Sequence, residues 1–503
     1  MKFNILFFAF IIFSLTSGSS MAAVKLDFAT VDRLTYRCYE EKKWDSVILV
    51  GKQALQLDID YYYLRTRMGI SYYNKSKYYQ ASIHLKKARE FNSQDPIIAD
   101  YLYYAYTFSN QADQAFKLEP FMTNEARESI DKVVQDVHVE SGYTLSSNAN
   151  PANLSTLMGK DSIYGEQDLY GNSFYSNLSL KMRVSNRIGL SFAYNYLNFT
   201  KTKYIQYGRG EQKFTGLQDT VLYNVTPKDS GQWYNYGYQW AVYDTSFRYH
   251  VSQHELHIGA SYAPGSGFRI MPAFHFMHVA YTMTNSSYRT ETVDAPLFHS
   301  NSTNITYNWS YPQLNYSFSQ KDTSFNNYVA ALAITKDFGL LNVGLSGSWS
   351  NLNGYKQKQL GASLSYYPLG NLNLYGTTTV TGFMQGRDKR LLFSQVLGAK
   401  ITPWMWGEAN FYYGDYTNAN ISNGSVVYNN SDIINYRGGA TLMFLVGKHV
   451  QLSLIYQYFS KESQQIYYIK QEDPDTQQIK EVQKTKNNPY NTNTLIGGIT
   501  WKF

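Results

Sequence analysis

A chain of 503 residues is longer than one ordinary soluble domain, and its composition is uneven, with 48 tyrosines and 17% aromatic residues against only 17% charged ones. The net charge of +7 is spread without a Lys/Arg block, which argues against a nucleic-acid footprint. A mean hydropathy of -0.40 with no apolar run of spanning length argues against membrane helices, and a single cysteine, Cys38, excludes an internal disulfide.

The N-terminus carries Lys2, an apolar stretch from Phe3 to Leu15 and small residues ending in Ser20, Met21, Ala22 and Ala23. This pattern predicts a secretory signal peptide over residues 1–23, so the rest of the chain is expected to cross the inner membrane completely. Cys38 lies too far beyond the cleavage site to be a lipidated first residue.

Residues 24–125 are predicted to be α-helical and repetitive. In rows of 34, Leu34, Met68 and Leu102 share a column, as do Cys38, Tyr72 and Tyr106, then Trp44, Tyr78 and Ala112, then Val47, Ala81 and Ala115, while Ala54 and Ala88 continue the register. A 34-residue period with small and large apolar residues at fixed offsets resembles the tetratricopeptide repeat, a helix-turn-helix unit. The middle row resembles that family most closely through Gly69, Tyr72, Tyr78, Ala81 and Ala88. The resemblance implies a concave surface on the inner helices, and Tyr61, Tyr62, Tyr63, Arg65 and Arg67 form the candidate docking groove, offering ring stacking and bidentate contacts to carboxylates.

After a linker at 126–132, the periodicity changes from helical to two, and residues 133–503 are predicted to form an antiparallel transmembrane β-barrel. Val137, Val139, Ser141, Tyr143 and Leu145 alternate with His138, Glu140 and Gly142 on the first strand. Short turns are expected at 185–187, 263–267, 337–339, 368–370, 402–403 and 447–448, and they alternate with long connections at 147–171, 205–243, 285–323, 419–430 and 466–487. That asymmetry gives about fourteen strands with both termini on the periplasmic side of an outer membrane. So wide a lumen holds water unless a connection folds in, and 285–323 is the expected plug. The whole chain is therefore α+β in separate domains.

The last strand ends in Ile499, Trp501 and Phe503, which resembles the C-terminal aromatic signature read by the barrel-assembly machinery. Outer-membrane lipid and that machinery are thus the expected partners, beside a periplasmic protein or exported client on the repeats. No nucleophile elbow, zinc-protease helix or phosphate loop occurs, so no enzyme activity and no cofactor is expected. One lumen cluster stands out: a turn pairing Tyr262 with Phe268 would set Glu255 opposite His275 with His257 one step along, a set able to hold a metal but more simply part of a polar lining.

Helical repeats before an outer-membrane barrel resemble the surface-lipoprotein assembly modulators, the exopolysaccharide exporters and the YaiO-like barrels. The resemblance implies that the repeats recruit a client for export or surface assembly. The other readings of the same residues are a passive porin for small solutes and a surface-binding protein acting through its Tyr/Asn-rich loops.

Overall fold

The computed structural model describes residues 26–148, 162–222, 229–301, 303–472 and 479–503, so residues 1–23, expected to be a signal peptide, lie outside the described residues. Seven helices come first: α1 (Phe28–Glu40), α2 (Trp44–Gln56), α3 (Tyr62–Asn74), α4 (Tyr78–Phe91), α5 (Pro96–Phe108), α6 (Ala112–Ala115) and α7 (Asn124–Ile130). Their starts are locally encoded. The Asp27 carboxylate accepts from Thr30 N, the Asp95 carboxylate accepts from Ile97 N and Ile98 N ahead of Pro96, and Thr123 caps α7. That cap places a helix across much of the stretch expected to be a linker.

Helices α1, α3 and α5 begin at residues 28, 62 and 96, and α2, α4 and α6 at 44, 78 and 112. Of the residues that share columns, Val47, Ala54, Met68, Ala81 and Ala88 are wholly buried in one core beside Leu85, and Tyr72, Leu102, Tyr106 and Ala115 nearly so, whereas Leu34, Trp44, Tyr78 and Ala112 are only partly buried and lie outside it. Small residues set the helix spacing. A β-carbon on Gly69 would stand 2.6 Å from Leu85 Cγ, so α3 and α4 approach this closely only because position 69 has no side chain.

The rest of the chain is strand. In order, β1 (Val134–Ser146), β2 (Ser162–Arg183), β3 (Ile188–Leu222), β4 (Asp229–Gly265), β5 (Phe268–Ser300), β6 (Ile305–Asp337), β7 (Leu341–Ser350), β8 (Gln357–Tyr366), β9 (Leu374–Gln385), β10 (Asp388–Thr402) and β11 (Met405–Tyr413) are followed by the two-residue strands β12 (Asn420–Ile421) and β13 (Val426–Val427). The barrel then completes with β14 (Ile433–Val446), β15 (Val450–Glu472) and β16 (Ile479–Lys502). Fourteen of these close into one antiparallel barrel, sealed where β1 pairs β16 with Val137 opposite Trp501 and Val139 opposite Ile499. The strand count and all six short turns agree with the sequence reading.

The wall is inverted relative to a soluble protein. On β8, Gln357 and Gln359 are buried inside while Leu360, between Gln359 and Gly361, is 68% exposed outside. Leu345, Leu391, Leu397, Leu495, Ile499, Trp501 and Phe503 are exposed in the same way. Apolar residues facing out and amides facing in are stable only when lipid surrounds the wall, so this is a barrel of the outer-membrane type. Among the described residues, no helix is long and apolar enough to cross a membrane.

Three hairpins run far past the length of strand needed to span a bilayer, about 9–11 residues. β3 and β4 have 35 and 37 residues, β5 and β6 have 33 each, and β15 and β16 have 23 and 24. Segments 205–243, 285–323 and 466–487, expected as long connections, are therefore mostly continued strand, because their alternating Tyr and Thr pair across the hairpins. Beyond the end of β14, β15 takes β2 as its neighbour, Gln465 opposite Gln167 and Tyr467 opposite Gly165, so the β15–β16 hairpin leans across the barrel mouth. The β5–β6 hairpin packs onto it through Tyr288, whose hydroxyl donates to Glu481, and onto β2 and β3 through Tyr316, which stacks on Tyr164 and meets Tyr207.

At the other end, the helices sit on the short turns. Tyr79 N donates to Gly370 O at 3.1 Å and Asn371 Nδ2 donates to Ser76 O at 2.8 Å. Across the mouth, Arg183 pairs with Glu119, donates to Ile130 O and lies 5.0 Å from the Phe116 ring.

Candidate functional site

The centre of the lumen is crossed by the segment between β11 and β14, not by residues 285–323, which form the outer β5–β6 hairpin. Its hairpin of β12 and β13 turns through Ser422, Asn423 and Gly424, all with positive φ of 52°, 56° and 78°. Two non-glycine residues held in the left-handed region store strain that the surroundings must hold. The tip reaches β5 on the far wall, where Asn423 Nδ2 donates to Met271 O at 2.8 Å and His275 Nδ1 donates to Gly424 O at 2.8 Å.

Side chains hold the flanks of the loop in the same way. Gln359 both donates to Asn420 O, at 2.8 Å, and accepts from Asn420 N, at 3.1 Å. Asn420 Nδ2 donates to Ser348 Oγ, and Asn353 Nδ2 donates to Asn418 Oδ1. The base of the loop is tied to β14, with Gly414 N donating to Asn435 O at 3.1 Å and Tyr416 N to Ile434 O at 3.2 Å, but from Thr417 to Asp432 no backbone–backbone hydrogen bond among the described residues joins it to the wall. Side-chain bonds of this kind exchange with water at a net cost of about 1 kcal/mol each, far easier to break than a β ladder.

The loop divides the lumen. Toward the helices lies a cavity of about 710 Å³ lined by Tyr103, Phe116, Arg183, His257, Arg269 and Asn423. On the other side lies one of about 360 Å³, lined by Tyr170, Tyr175, Phe199, Arg437, Phe459 and Lys461 together with Ser425 to Asn430 of the loop.

The candidate cluster of Glu255, His257 and His275 does face the lumen, but in a different register. His257, not Glu255, stands opposite His275, because the hairpin turns tightly with Gly265 opposite Phe268, and after a one-residue irregularity Tyr262 pairs with Ile270 and not with Phe268. His275, fully buried, has Nε2 at 3.3 Å from Glu255 Oε2, and its ring lies 5.7 Å from that of His257. Glu255 also accepts from Gln253 and from Asn195. From there a polar chain continues around the wall through Asn195, Tyr175 and Glu140 to His138. Among the described residues, no three metal-ligating side chains converge. Other charged groups of the barrel are engaged: Lys181 with Asp136, Arg183 with Glu119, and Glu408 with the Tyr375 hydroxyl.

In the helical part, the groove candidates are turned largely inward. Arg67 donates to the Asp32 carboxylate and to Thr35 Oγ1, Tyr61 donates to Asp32, and Tyr62 donates to Asp95. Arg65 grips Asp60 with both ends of its fork, at 2.7 and 2.8 Å. Tyr63 remains 60% exposed.

Arg65 also donates to His84 Nδ1 at 3.1 Å, and the His84 ring stacks on Tyr72. Burial, and then the Arg65 guanidinium, push the His84 imidazole down to about 4. An unfolded histidine titrates near about 6.5, so protons bind the unfolded chain first and the neutral ring stabilises the fold above that pH. Stability of the helical domain is therefore expected to fall as the pH drops from about 6.5 to about 4, by roughly 2 kcal/mol after allowance for partial exposure. The Arg65 fork holds the Asp60 carboxyl below its ordinary range, so that contribution is lost only at still lower pH. Acid unfolding followed by the helical far-UV signal checks this: a His84→Gln protein should be flat across the upper window, and an unchanged slope would refute the assignment.

No known family model matches the sequence, and no curated protein matches it. Among solved structures the chain is similar to the Pseudomonas putida toluene transporter TodX, at 8% identity and a TM-score of 0.36, over 76% of this chain and 93% of that one. It is also similar to a Pseudomonas aeruginosa FadL homologue, at 9% identity and a TM-score of 0.28 over 77% and 92% of the two chains. A third is the translocator domain of the Neisseria meningitidis autotransporter NalP, at 6% identity and a TM-score of 0.26 over 75% and 91%. Likeness at this level says nothing of substrate or mechanism.

Proposed function

We propose that this protein is a gated outer-membrane channel in which the loop between β11 and β14 is the gate. The observation that carries the reading is that this loop lies across a fourteen-strand lumen, between two cavities, and that beyond its base at Tyr416 side-chain hydrogen bonds, not the wall's own ladder, hold it to the wall. A segment fixed that way moves without unzipping the barrel, whereas a structural brace would be expected to join the sheet. A solute would pass between the cavities when the tip leaves Met271 and His275.

In this reading the helices stand on the periplasmic mouth, both termini lie in the periplasm, and the exposed hairpins face outward. The steps of 34 residues between helix starts support a tetratricopeptide type for residues 24–125. Recruitment of an export client has weaker support, since four of the five groove candidates already bond within the domain.

A tether tests the gate. With Cys38 first replaced by Ser, the pair Asn423→Cys and Met271→Cys should form a disulfide that lowers single-channel conductance in planar bilayers, and a reductant should restore it. Conductance indifferent to oxidation, with the disulfide verified, would remove the gate.

A further inference from the structure

Two cations face the smaller cavity and one aromatic ring. Arg437, only 8% exposed, has its guanidinium carbon 4.4 Å from the Tyr412 ring centre and 5.6 Å from that of Phe459. Lys461 Nζ lies 5.1 Å from the same Phe459 ring. Among the described residues, neither cation takes part in an ion pair, and the partner Arg437 finds is the neutral Tyr428 hydroxyl of the gate loop. Its Nε atom is buried without a hydrogen-bond partner. The carboxylates that line the cavity are already used: Glu140 by His138 and Tyr175, Glu255 by Gln253, Asn195 and His275. Asp432, near Lys461, accepts from the Tyr490 hydroxyl at 2.6 Å.

Two like charges gathered at one ring repel each other, and an anion between them removes the repulsion. The rest of the wall is mixed: Leu197, Phe199, Ile434, Ile455 and Ile496 supply apolar surface, and Asn195, Gln253, Gln457 and Thr494 supply neutral polar groups. At about 360 Å³ it sits near the lower end of ligand pockets, which run from about 300 to 1,000 Å³. We propose that this cavity binds a small amphipathic organic anion, a carboxylate on an aromatic or branched apolar body, with Arg437 and Lys461 on the charge and Phe199 and Phe459 on the body. The purpose of the site rests on the channel reading, since Val426, Val427 and Tyr428 of the gate form part of the same wall and an occupant would touch the gate directly.

Calorimetric titration of the full-length protein in detergent micelles tests the site with benzoate as probe, and with benzyl alcohol and sulfate as the neutral and the purely ionic controls. Saturable benzoate binding is expected, with both controls weaker by about tenfold or more and with Arg437→Gln and Lys461→Met each weakening benzoate by a similar factor. Lys461→Met breaks no hydrogen bond and keeps the proposal testable if Arg437→Gln fails to close its barrel. No saturable benzoate binding to the unaltered protein would overturn the site, as would sulfate binding equally well or folded variants binding as before. Conductance separates the two readings: benzoate binding in a protein whose tethered loop leaves conductance unchanged keeps the anion site and removes the gate.

Discussion

Excising residues 417–430 and joining the ends with a short Gly-Ser turn is expected to raise single-channel conductance by about an order of magnitude, since about eight strands suffice for side chains to fill a barrel and this one has fourteen. The deletion removes the loop's bonds to Gln359, Ser348, Met271 and His275 but no rung of the wall. Tyr416 stays against Phe383, Leu392 and Ile434, while Ala419, Ile421 and Tyr428 leave that small cluster with the loop. Barrel closure, read by heat-modifiable migration on gels, should be unchanged. A deletion protein that folds and conducts like the parent would show that the block lies elsewhere.

Leu85→Ala is expected to destabilise the helical domain by about 3 kcal/mol, lowering its thermal transition by about 15 °C. Leu85 is wholly buried where α3 meets α4, and the hole it leaves is bounded by backbone that cannot collapse into it. Gly69→Ala should also destabilise the parent, because its methyl group would overlap Leu85. In the Leu85→Ala background that methyl has room, so the double variant should exceed the additive expectation by about 1 kcal/mol. The helical far-UV signal of the full-length chain reads this apart from the barrel, and strict additivity would contradict the close contact.

The barrel was legible because its rules are local. Turn residues recur between alternating runs, and a strand such as β8 shows its inversion in the order Gln, Leu, Gly, Ala. The core columns of the helices were legible for the same reason, from Met68 to Leu102. What failed depended on contacts between distant residues. The Glu255 register was missed because the expected turn was too wide: Gly265, not Tyr262, pairs with Phe268, and the place where a hairpin turns moves every later pair. The plug was assigned to 285–323 on length, yet Asn, Ser and Tyr in that segment continue a hairpin. The segment that crosses the lumen is shorter, and its mark in the sequence is a run of left-handed-tolerant residues, Asn418, Asn420, Ser422, Asn423 and Gly424, of which all but Asn420 have positive φ. The groove on α3 failed to stay open because Asp32 and Asp95, each about one repeat away, claim its hydroxyls and Arg67.

The pairing of β15 with β2 joins residues some three hundred positions apart, Gln465 to Gln167, outside the wall and above a seam of β1 with β16 that must already exist. Closing so long a loop is entropically costly until the strands beneath have met, so this ladder belongs to the final stage of assembly. A barrel caught before that stage would carry two unpaired strand edges at its mouth, open to protease and to other chains. Loss of that sensitivity would then mark the moment when the molecule is finished.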